Sequence, residues 1–402
     1  MKRICSIFAL AVVLTGASVA LAAGPKTSLF ADLGDAYYTP DGMTVADATS
    51  ILYLNVPNFG LMDENKKKSD SVQGGYLLKL DANGNATKLL EYPVHEATGQ
   101  CGPMGLDCGP DGNLYVCDNQ FFHTDKYCSR ILRVVLDKDG VPTGEVETVV
   151  EGAQLANGIV WFGGNMFYTD SVLPFEASDD IIGAGAVFCI PAAEALKAGR
   201  NGAPAVKVKA AADDPHCLAY EKVVKLGRGD NTGCDGITVD KNGVVWFGNF
   251  GNGYLYGAYP DENGEYKREN VCNVFNASTQ KGFDFGEWKG VKFECCDGIF
   301  YDAGSNRVLI DDSVNNAIWA FEPCAKGETV KPYIVLKNDV ATGADGQLDQ
   351  PCEAVIYGGK VLFVNFDWPF PGMVNTKTDK PGTIVGVPYA ELKPVLLDGG
   401  NK

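Results

Sequence analysis

One short hydrophobic pattern recurs along the chain. It consists of an apolar run of β-forming residues, a tight turn rich in Gly, Asn or Asp, and a second apolar run that ends in Asn, Asp or Ser. Runs of β-formers on both sides of such a turn are typical of β-hairpins. In several copies a second hairpin follows, and two hairpins make a four-stranded sheet. The copies begin at Gly42, Gly105, Gly158, Gly236, Gly298 and Ala354.

The six copies fill the chain, because their starting points are 53 to 78 residues apart. Four-stranded sheets repeated around an axis form β-propellers, which leave few sheet edges exposed. We therefore predict an all-β protein: a single six-bladed β-propeller with four-stranded antiparallel blades over residues 23–402. A pair of β-sandwiches is the alternative, and the near-even spacing of the copies disfavours it.

Residues 1–22 have the pattern of a cleaved signal peptide. Lys2 and Arg3 precede an apolar run, and the small residues Ala20 and Ala22 mark a cleavage site. A membrane anchor is the alternative, but the apolar run is short and no positively charged flank follows it. The pattern predicts an exported protein, periplasmic or secreted. We expect no membrane insertion after cleavage, because no later segment is long and apolar enough to span a bilayer.

The chain is acidic, with 51 Asp and Glu against 34 Lys and Arg, and a net charge of −17. Nucleic acids and anionic membrane surfaces attract basic proteins, so we expect neither as a partner. The sequence contains only 3 His residues. This number disfavours a His-rich metal site.

The residue before each repeat start is predicted to lie beside the propeller axis, because the innermost strand of each blade begins there. Carboxylates brought together in this way repel one another, and a bound cation is the simplest means of stabilising them. Oxygen donors that include an amide favour calcium, with manganese, magnesium or zinc as alternatives. The simpler alternative is that each acid caps a turn. The predicted metal ligands are Asp41, Asn157, Asp235, Asp297 and Glu353.

The second strand of each hairpin returns to the same face, so its last residues should surround this ring. Several aromatic residues stand beside these polar strand ends, although packing of loops is the alternative role for each of them. A polar floor beneath an apolar rim is typical of a pocket for a small molecule. The predicted substrate-binding residues are Asn119, Asp170, Asn249, Asp312, Phe122 and Trp368.

Two segments resemble the family of gluconolactonases, senescence marker proteins and luciferin-regenerating enzymes. They are LANGI at 155–159 and CDGITVDKNGVVWFGNF at 234–250. The resemblance implies a six-bladed propeller with one divalent metal, often calcium, on its axis. The family's Asn and Asp ligands correspond to Asn157 and Asp235. Its Glu ligand corresponds to Asp41 by chain order or to Glu353 by residue type.

The reaction that this resemblance implies is metal-assisted hydrolysis of a small, sugar-like lactone. A metal ion polarises the carbonyl of such an ester, and a carboxylate accepts the proton of the attacking water. Asp235 and Asp297 are the catalytic candidates, because crowded carboxylates hold protons more tightly. Two alternatives remain open: a non-catalytic propeller that binds a ligand or protein around a structural metal, and a cysteine-assisted metal or redox protein.

Cysteines are frequent, and loss of Cys5 with the signal peptide would leave 12 of the 13. An even number in an exported protein predicts disulfide bonds. A Cys directly precedes a predicted ring acid at Cys234, Cys296 and Cys352, and Cys295 and Cys296 are adjacent. A thiolate or redox site near the axis is therefore the alternative to disulfides.

Overall fold

The computed structural model describes residues 25–59, 74–123, 127–284, 288–339, 346–378 and 382–399. The predicted signal peptide lies outside these ranges. Within them the chain forms twenty-five strands and two α-helices. No helix in the same ranges is long and apolar enough to cross a membrane.

The first twelve strands are β1 (Ser28–Asp32), β2 (Met43–Val45), β3 (Leu52–Val56), β4 (Tyr76–Leu80), β5 (Ala86–Glu91), β6 (Pro103–Cys108), β7 (Leu114–Asp118), β8 (Ser129–Leu136), β9 (Pro142–Ala153), β10 (Ala156–Phe162), β11 (Asn165–Asp170) and β12 (Ile181–Pro191). The following elements are α1 (Ala192–Ala195), β13 (Val206–Lys207), β14 (Cys217–Val224), β15 (Cys234–Val239), β16 (Val245–Asn249), β17 (Leu255–Ala258) and β18 (Val271–Phe275). The last are β19 (Ile299–Asp302), β20 (Arg307–Asp312), β21 (Ala317–Phe321), β22 (Tyr333–Lys337), β23 (Pro351–Tyr357), β24 (Lys360–Asn365), β25 (Thr383–Pro388) and α2 (Tyr389–Asp398).

These strands form the six blades that the repeat predicts, so the predicted fold is confirmed. The blades in chain order are β2–β5, β6–β9, β10–β12 with β14, β15–β18, β19–β22, and β23–β25 with β1. Neighbouring strands in each of these four-stranded sets pair antiparallel. The innermost strands β2, β6, β10, β15, β19 and β23 each contact the next, and β23 contacts β2. The ring around the axis is therefore closed.

The two ends of the chain meet in the sixth blade. Strand β1 pairs with β25 as the outermost strand, with Ser28 opposite Gly386 and Asp32 opposite Thr383. The hairpin repeat begins after β1, and for this reason the sequence pattern gave no sign of this pairing. The pairing joins the two ends of the chain, and it leaves no blade incomplete at the junction.

The second blade carries an additional strand. The chain leaves the third blade after β12, forms α1, and then pairs β13 in parallel with β9, Val206 opposite Val150. The buried Arg133 holds this excursion in place, because its guanidinium donates to the carbonyl oxygens of Ala195 and Ala198. The short helix α1 directly follows Pro191 and covers only Ala192–Ala195.

The core fills the seams between neighbouring blades. Phe167 of the third blade and Phe247 of the fourth belong to one buried cluster. Trp246 of the fourth blade packs edge-on against Phe321 of the fifth, with ring centroids 5.3 Å apart. Burying these large aromatic side chains supplies much of the energy that keeps successive blades together.

The glycines that start the repeats allow the blades to approach closely at the axis. A Cβ atom on Gly236 would lie 1.9 Å from the carbonyl oxygen of Asp297, and one on Gly298 would lie 2.2 Å from that of Cys352. No side chain fits at such distances. The repeated glycine therefore brings the residue before it close to the corresponding residue of the next blade.

The predicted disulfides are wrong for the part of the chain that the structure describes. None of the twelve cysteines there, Cys101 to Cys352, takes part in a disulfide bond. Several lie in the seams between blades against backbone carbonyl groups, as Cys117 does against Gly158 and Cys352 against Pro40. The adjacent Cys295 and Cys296 are both buried, and neither forms a disulfide bond. These thiols act as small core side chains that pack against the neighbouring blade.

Candidate functional site

A cavity of about 210 Å³ opens on the propeller axis. Its lining includes five of the six residues that precede the repeat starts, although these are far apart in sequence. Four of the five were predicted ligands, and Glu353 is the predicted ligand that does not line the cavity. The five are Asp41, Met104, Asn157, Asp235 and Asp297.

Asp235 is surrounded by other acids. It is only 5% exposed, and it is the second residue of β15 in the fourth blade. Burial, followed by the negative charges of Asp297 and Asp41, raises the pKa of Asp235 well above its usual value. The same holds for Asp41: burial and the charge of Asp297 raise its pKa strongly. A positive charge in this cavity would relieve both effects.

Asp297 differs from the other two because it has partners that stabilise its ionised form. Ser313 donates a hydrogen bond to Oδ2 of Asp297. Burial raises the pKa of Asp297 to about 7, while the Ser313 hydroxyl and the Arg228 charge hold it down. A carboxylate with a pKa near 7 can accept and release a proton at physiological pH.

Two further acids lie beside this ring. Burial and the charge of Asp311 raise the pKa of Glu353 well above its usual value. Asp311 itself is 1% exposed, and neither carboxylate oxygen has a hydrogen-bond partner within the described ranges. The sequence reading missed Asp311, because it precedes the predicted strand end at Asp312 and looks like an ordinary strand residue.

The aromatic rim that the sequence predicted is present. Phe122 lines the cavity together with Phe121, Phe250, Phe366 and Phe370. The predicted residue Trp368 is not among the lining residues, but it packs behind them, with its ring centroid 5.3 Å from that of Phe122.

Besides Trp368, three of the predicted substrate-binding residues lie outside the lining. Asp170 accepts hydrogen bonds from the backbone N–H groups of Gln154 and Leu155. Asp312 accepts from Trp319 Nε1 and from the Asn315 side chain. Asn249 ends β16 opposite Cys234, and it is fully buried. These strand-end residues face their own blade, where the two aspartates bind groups that would otherwise be unpaired.

Four amides line the cavity; Asn119 and Asn157 were predicted, whereas Asn231 and Gln350 were not. Asn119 was predicted from the end of the second repeat, and the structure places it in the lining. Gln350 was missed, although it also lines the cavity and is fully buried. Its position three residues before Glu353 is the only signal in the sequence, and a Gln in a loop is too common to stand out.

The donors in the cavity fit a hard cation by their chemistry. Carboxylate oxygens and an amide oxygen are the groups that calcium prefers, and burial together with the charges of neighbouring acids raises the pKa values of Asp41 and Asp235. In the ranges that the structure covers, no three His, Cys, Asp or Glu side chains are grouped closely enough to hold an ion. An ion here would therefore need the Asn157 amide in addition to carboxylates.

The cysteines near the axis are buried thiols. Burial raises the pKa of Cys234, Cys295, Cys296 and Cys352 well above the usual range. Reactive or metal-binding thiols need the opposite shift, because the thiolate is the active form. The structure thus gives no support to the cysteine-assisted alternative.

The sequence matches no protein-family model and no curated protein. Several solved structures share its fold. A PQQ-bound aldose sugar dehydrogenase from Streptomyces coelicolor is 15% identical with a TM-score of 0.52, covering 90% of this chain and 98% of that one. A luciferin-regenerating enzyme is 13% identical with a TM-score of 0.52, covering 90% of this chain and 95% of that one.

A calcium-binding protein, regucalcin, from Agrobacterium tumefaciens is 10% identical with a TM-score of 0.50, covering 90% of this chain and 94% of that one. Identities this low establish the fold and leave the activity open. The expected resemblance to luciferin-regenerating enzymes is confirmed at the level of the fold. The chain is a six-bladed β-propeller of the type seen in luciferin-regenerating enzyme, regucalcin and sugar dehydrogenase structures.

Proposed function

We propose that the protein is a metal-dependent hydrolase of the lactonase or esterase type that opens a small, sugar-like lactone. One observation carries this proposal. Asn157, Asp235 and Asp297 come from three successive blades and line one axial cavity. The segments around Asn157 and Asp235 are also the ones that resemble the lactonase family.

The cation site would consist of Asn157, Asp235 and Asp41. Asp41 and Glu353 were the two alternatives for the third ligand, and the cavity lining favours Asp41. Calcium is the preferred ion, because it matches oxygen donors and because the regucalcin structure of the same fold is a calcium-binding protein. When bound, such an ion acts as a Lewis acid toward an ester carbonyl.

Asp297 would be the general base. Its Oδ2 accepts the hydrogen bond of Ser313, so Oδ1 remains to accept a proton from water. Without a cation, burial raises its pKa to about 7, and a cation in the same cavity would lower that value, so the carboxylate would be ionised and able to accept the proton at neutral pH. The aromatic rim limits access of other water molecules, which strengthens the electrostatic interactions within the cavity.

The substrate class follows from the size and lining of the site. A cavity of about 210 Å³ suits a small molecule, and the acids on its floor can accept hydrogen bonds from hydroxyl groups. The signal-peptide pattern supports action outside the cytoplasm, in the periplasm or as a secreted protein. An acidic chain suits neither nucleic acid nor an anionic membrane as a partner.

The test is hydrolysis of D-glucono-1,5-lactone and a panel of related lactones, followed by acid release at constant pH. We expect calcium-dependent turnover that a chelator abolishes and that Asp297→Asn reduces at least a hundredfold. Asp261→Asn is the matched control, because Asp261 is a half-buried turn residue that pairs with Lys267 and does not line the cavity. Calcium binding without turnover of any lactone or ester would instead support the non-catalytic binding propeller.

A further inference from the structure

Asn119 is an amide whose two ends have different surroundings. Its Oδ1 accepts the backbone N–H of Phe121 at 2.9 Å. Its Nδ2 has no hydrogen-bond partner in the described part of the chain, and the residue is fully buried in the cavity lining. A buried N–H group without a partner is costly, by roughly 1–3 kcal/mol.

Gln350 repeats this arrangement on the other side of the first blade. Its Oε1 accepts the backbone N–H of Trp368 at 2.6 Å, and its Nε2 has no partner among the residues that the structure covers. Its backbone φ is 56°, although it precedes Pro351 and should be extended. Asn316 holds this conformation by accepting the Gln350 N–H. Strain of this kind persists where the position of a side chain matters for function.

The side chains of Asn119 and Gln350 are therefore arranged in the same way. The oxygen of each faces the loop that it holds, so the NH₂ group is the part that is left to donate. Both loops carry aromatic residues of the rim, and Phe122 and Trp368 from these loops pack against each other and against Phe59. The contacts of the rim thus fix both amides relative to one another.

We propose that Asn119 and Gln350 form a two-amide donor site that binds an acceptor oxygen of the ligand, the carbonyl of a lactone or the carboxylate of the corresponding hydroxy acid. The inference rests on the proposed function, because it concerns the same cavity. On the floor of that cavity, Asp297 is the acid that the proposed cation site leaves free to accept a hydrogen bond. The amide pair supplies N–H donors, and this difference orients a ligand that carries hydroxyl groups at one end and a carbonyl or carboxylate at the other.

Two conservative substitutions separate donation from structure. Gln350→Glu and Asn119→Asp keep the oxygen that holds Trp368 or Phe121, and each replaces the NH₂ donor with an acceptor. Binding of D-gluconate and of D-glucitol is measured by calorimetry at pH 8 with calcium present. The two ligands differ only in that the carboxylate of one is a hydroxymethyl group in the other. Thermal melting checks that each variant folds, and either variant alone decides the question.

The unmodified protein should bind gluconate more tightly than glucitol. Each variant should lose at least tenfold in gluconate affinity, while glucitol affinity changes less than twofold. Gln280→Glu is the matched control, because both ends of that amide bond the Phe293 backbone outside the cavity. Unchanged gluconate binding, an equal loss for both ligands, or no gluconate preference in the unmodified protein would each overturn the inference. Selective gluconate binding without lactone turnover would refute the proposed hydrolase and leave the amide site intact.

Discussion

The hydroxyl of Ser313 donates its hydrogen bond to the carboxylate of Asp297, across the first two strands of the fifth blade. Ser313 is fully buried, and it directly follows β20, whereas Asp297 lies just before β19. The bond lowers the pKa of Asp297 against the opposing effect of burial. Ser313 is therefore a positioning residue for the proposed base.

Ser313→Ala should raise the pKa of Asp297, because the ionised carboxylate loses a donor. The acid limb of the pH–rate profile would then move upward by about one pH unit. Ser305→Ala is the control, because Ser305 makes the same contact with Asp302 elsewhere in the fifth blade. An identical acid limb in the Ser313 variant and the unmodified protein would show that Ser313 does not influence the proposed base.

Asp311 occupies a position that carries hydrogen-bond donors in other blades. Asp41 N donates to Asn55 O in the first blade, and Asp297 N donates to Asp311 O in the fifth, so Asn55 and Asp311 are equivalent. Asn55 Nδ2 donates to Met104 O of the next blade at 2.6 Å. A Cβ on Gly298 would lie within 2.7 Å of both Asp311 Oδ2 and the Cys352 carbonyl oxygen, so these two acceptors are close neighbours.

Asp311→Asn should stabilise the protein at alkaline pH, because the amide can donate as Asn55 does. Burial and Asp297 raise the pKa of Asp311 well above its value in an unfolded chain, roughly 3.9. The contribution of neutral Asp311 to stability is fully present below that unfolded value, and it is lost as pH rises through the folded pKa. Urea unfolding should therefore show an advantage for the variant that grows from pH 5 to pH 8, reaching about 1–2 kcal/mol. A variant that is less stable at both pH values would contradict this.

Gly236→Ala should disrupt the ring at the axis, because the added Cβ would lie 1.9 Å from the Asp297 carbonyl oxygen. We expect a loss of about 3 kcal/mol in the free energy of unfolding. Gly163→Ala is the comparison, since Gly163 has a φ of 57° and no atom within 4 Å of the added Cβ. That change should cost about 1 kcal/mol. Equal losses in the two variants would show that the blades are less closely packed than the structure indicates.

The thiol count tests the absence of disulfides. After denaturation without a reductant, Ellman's reagent should detect all twelve cysteines of the described ranges as free thiols. The native protein should react slowly, because burial raises thiol pKa values and blocks access of the reagent. Detection of zero or two free thiols in the denatured protein would contradict the structure and support the predicted disulfide bonds.

The sequence predicted the parts of the fold that repeat. The repeat starts and the hairpin turns located all six innermost strands. The residues before the repeat starts led to Asp41, Asn157, Asp235 and Asp297 in the cavity. Strand β1 could not be predicted in this way, because its partner β25 lies at the far end of the chain. Pairing between the ends leaves no local pattern.

The substrate-binding residues were harder to predict, for a physical reason. A strand end such as Asp170 has the residue type of a ligand contact, yet its oxygens bind backbone N–H groups of its own blade. Gln350 does contact the cavity, but its position depends on a strained backbone that Asn316 holds. Whether a polar side chain faces a cavity or a turn depends on such tertiary contacts, which periodicity does not encode.

Calcium titration by calorimetry is the decisive experiment, because every proposed catalytic role depends on a cation between Asn157, Asp235 and Asp41. We expect the unmodified protein to bind one calcium ion per chain. Calcium binding should be at least tenfold weaker in Asp235→Asn and unchanged in the control Asp261→Asn. The absence of calcium binding to the unmodified protein, or equal affinities in the unmodified protein and Asp235→Asn, would contradict this expectation.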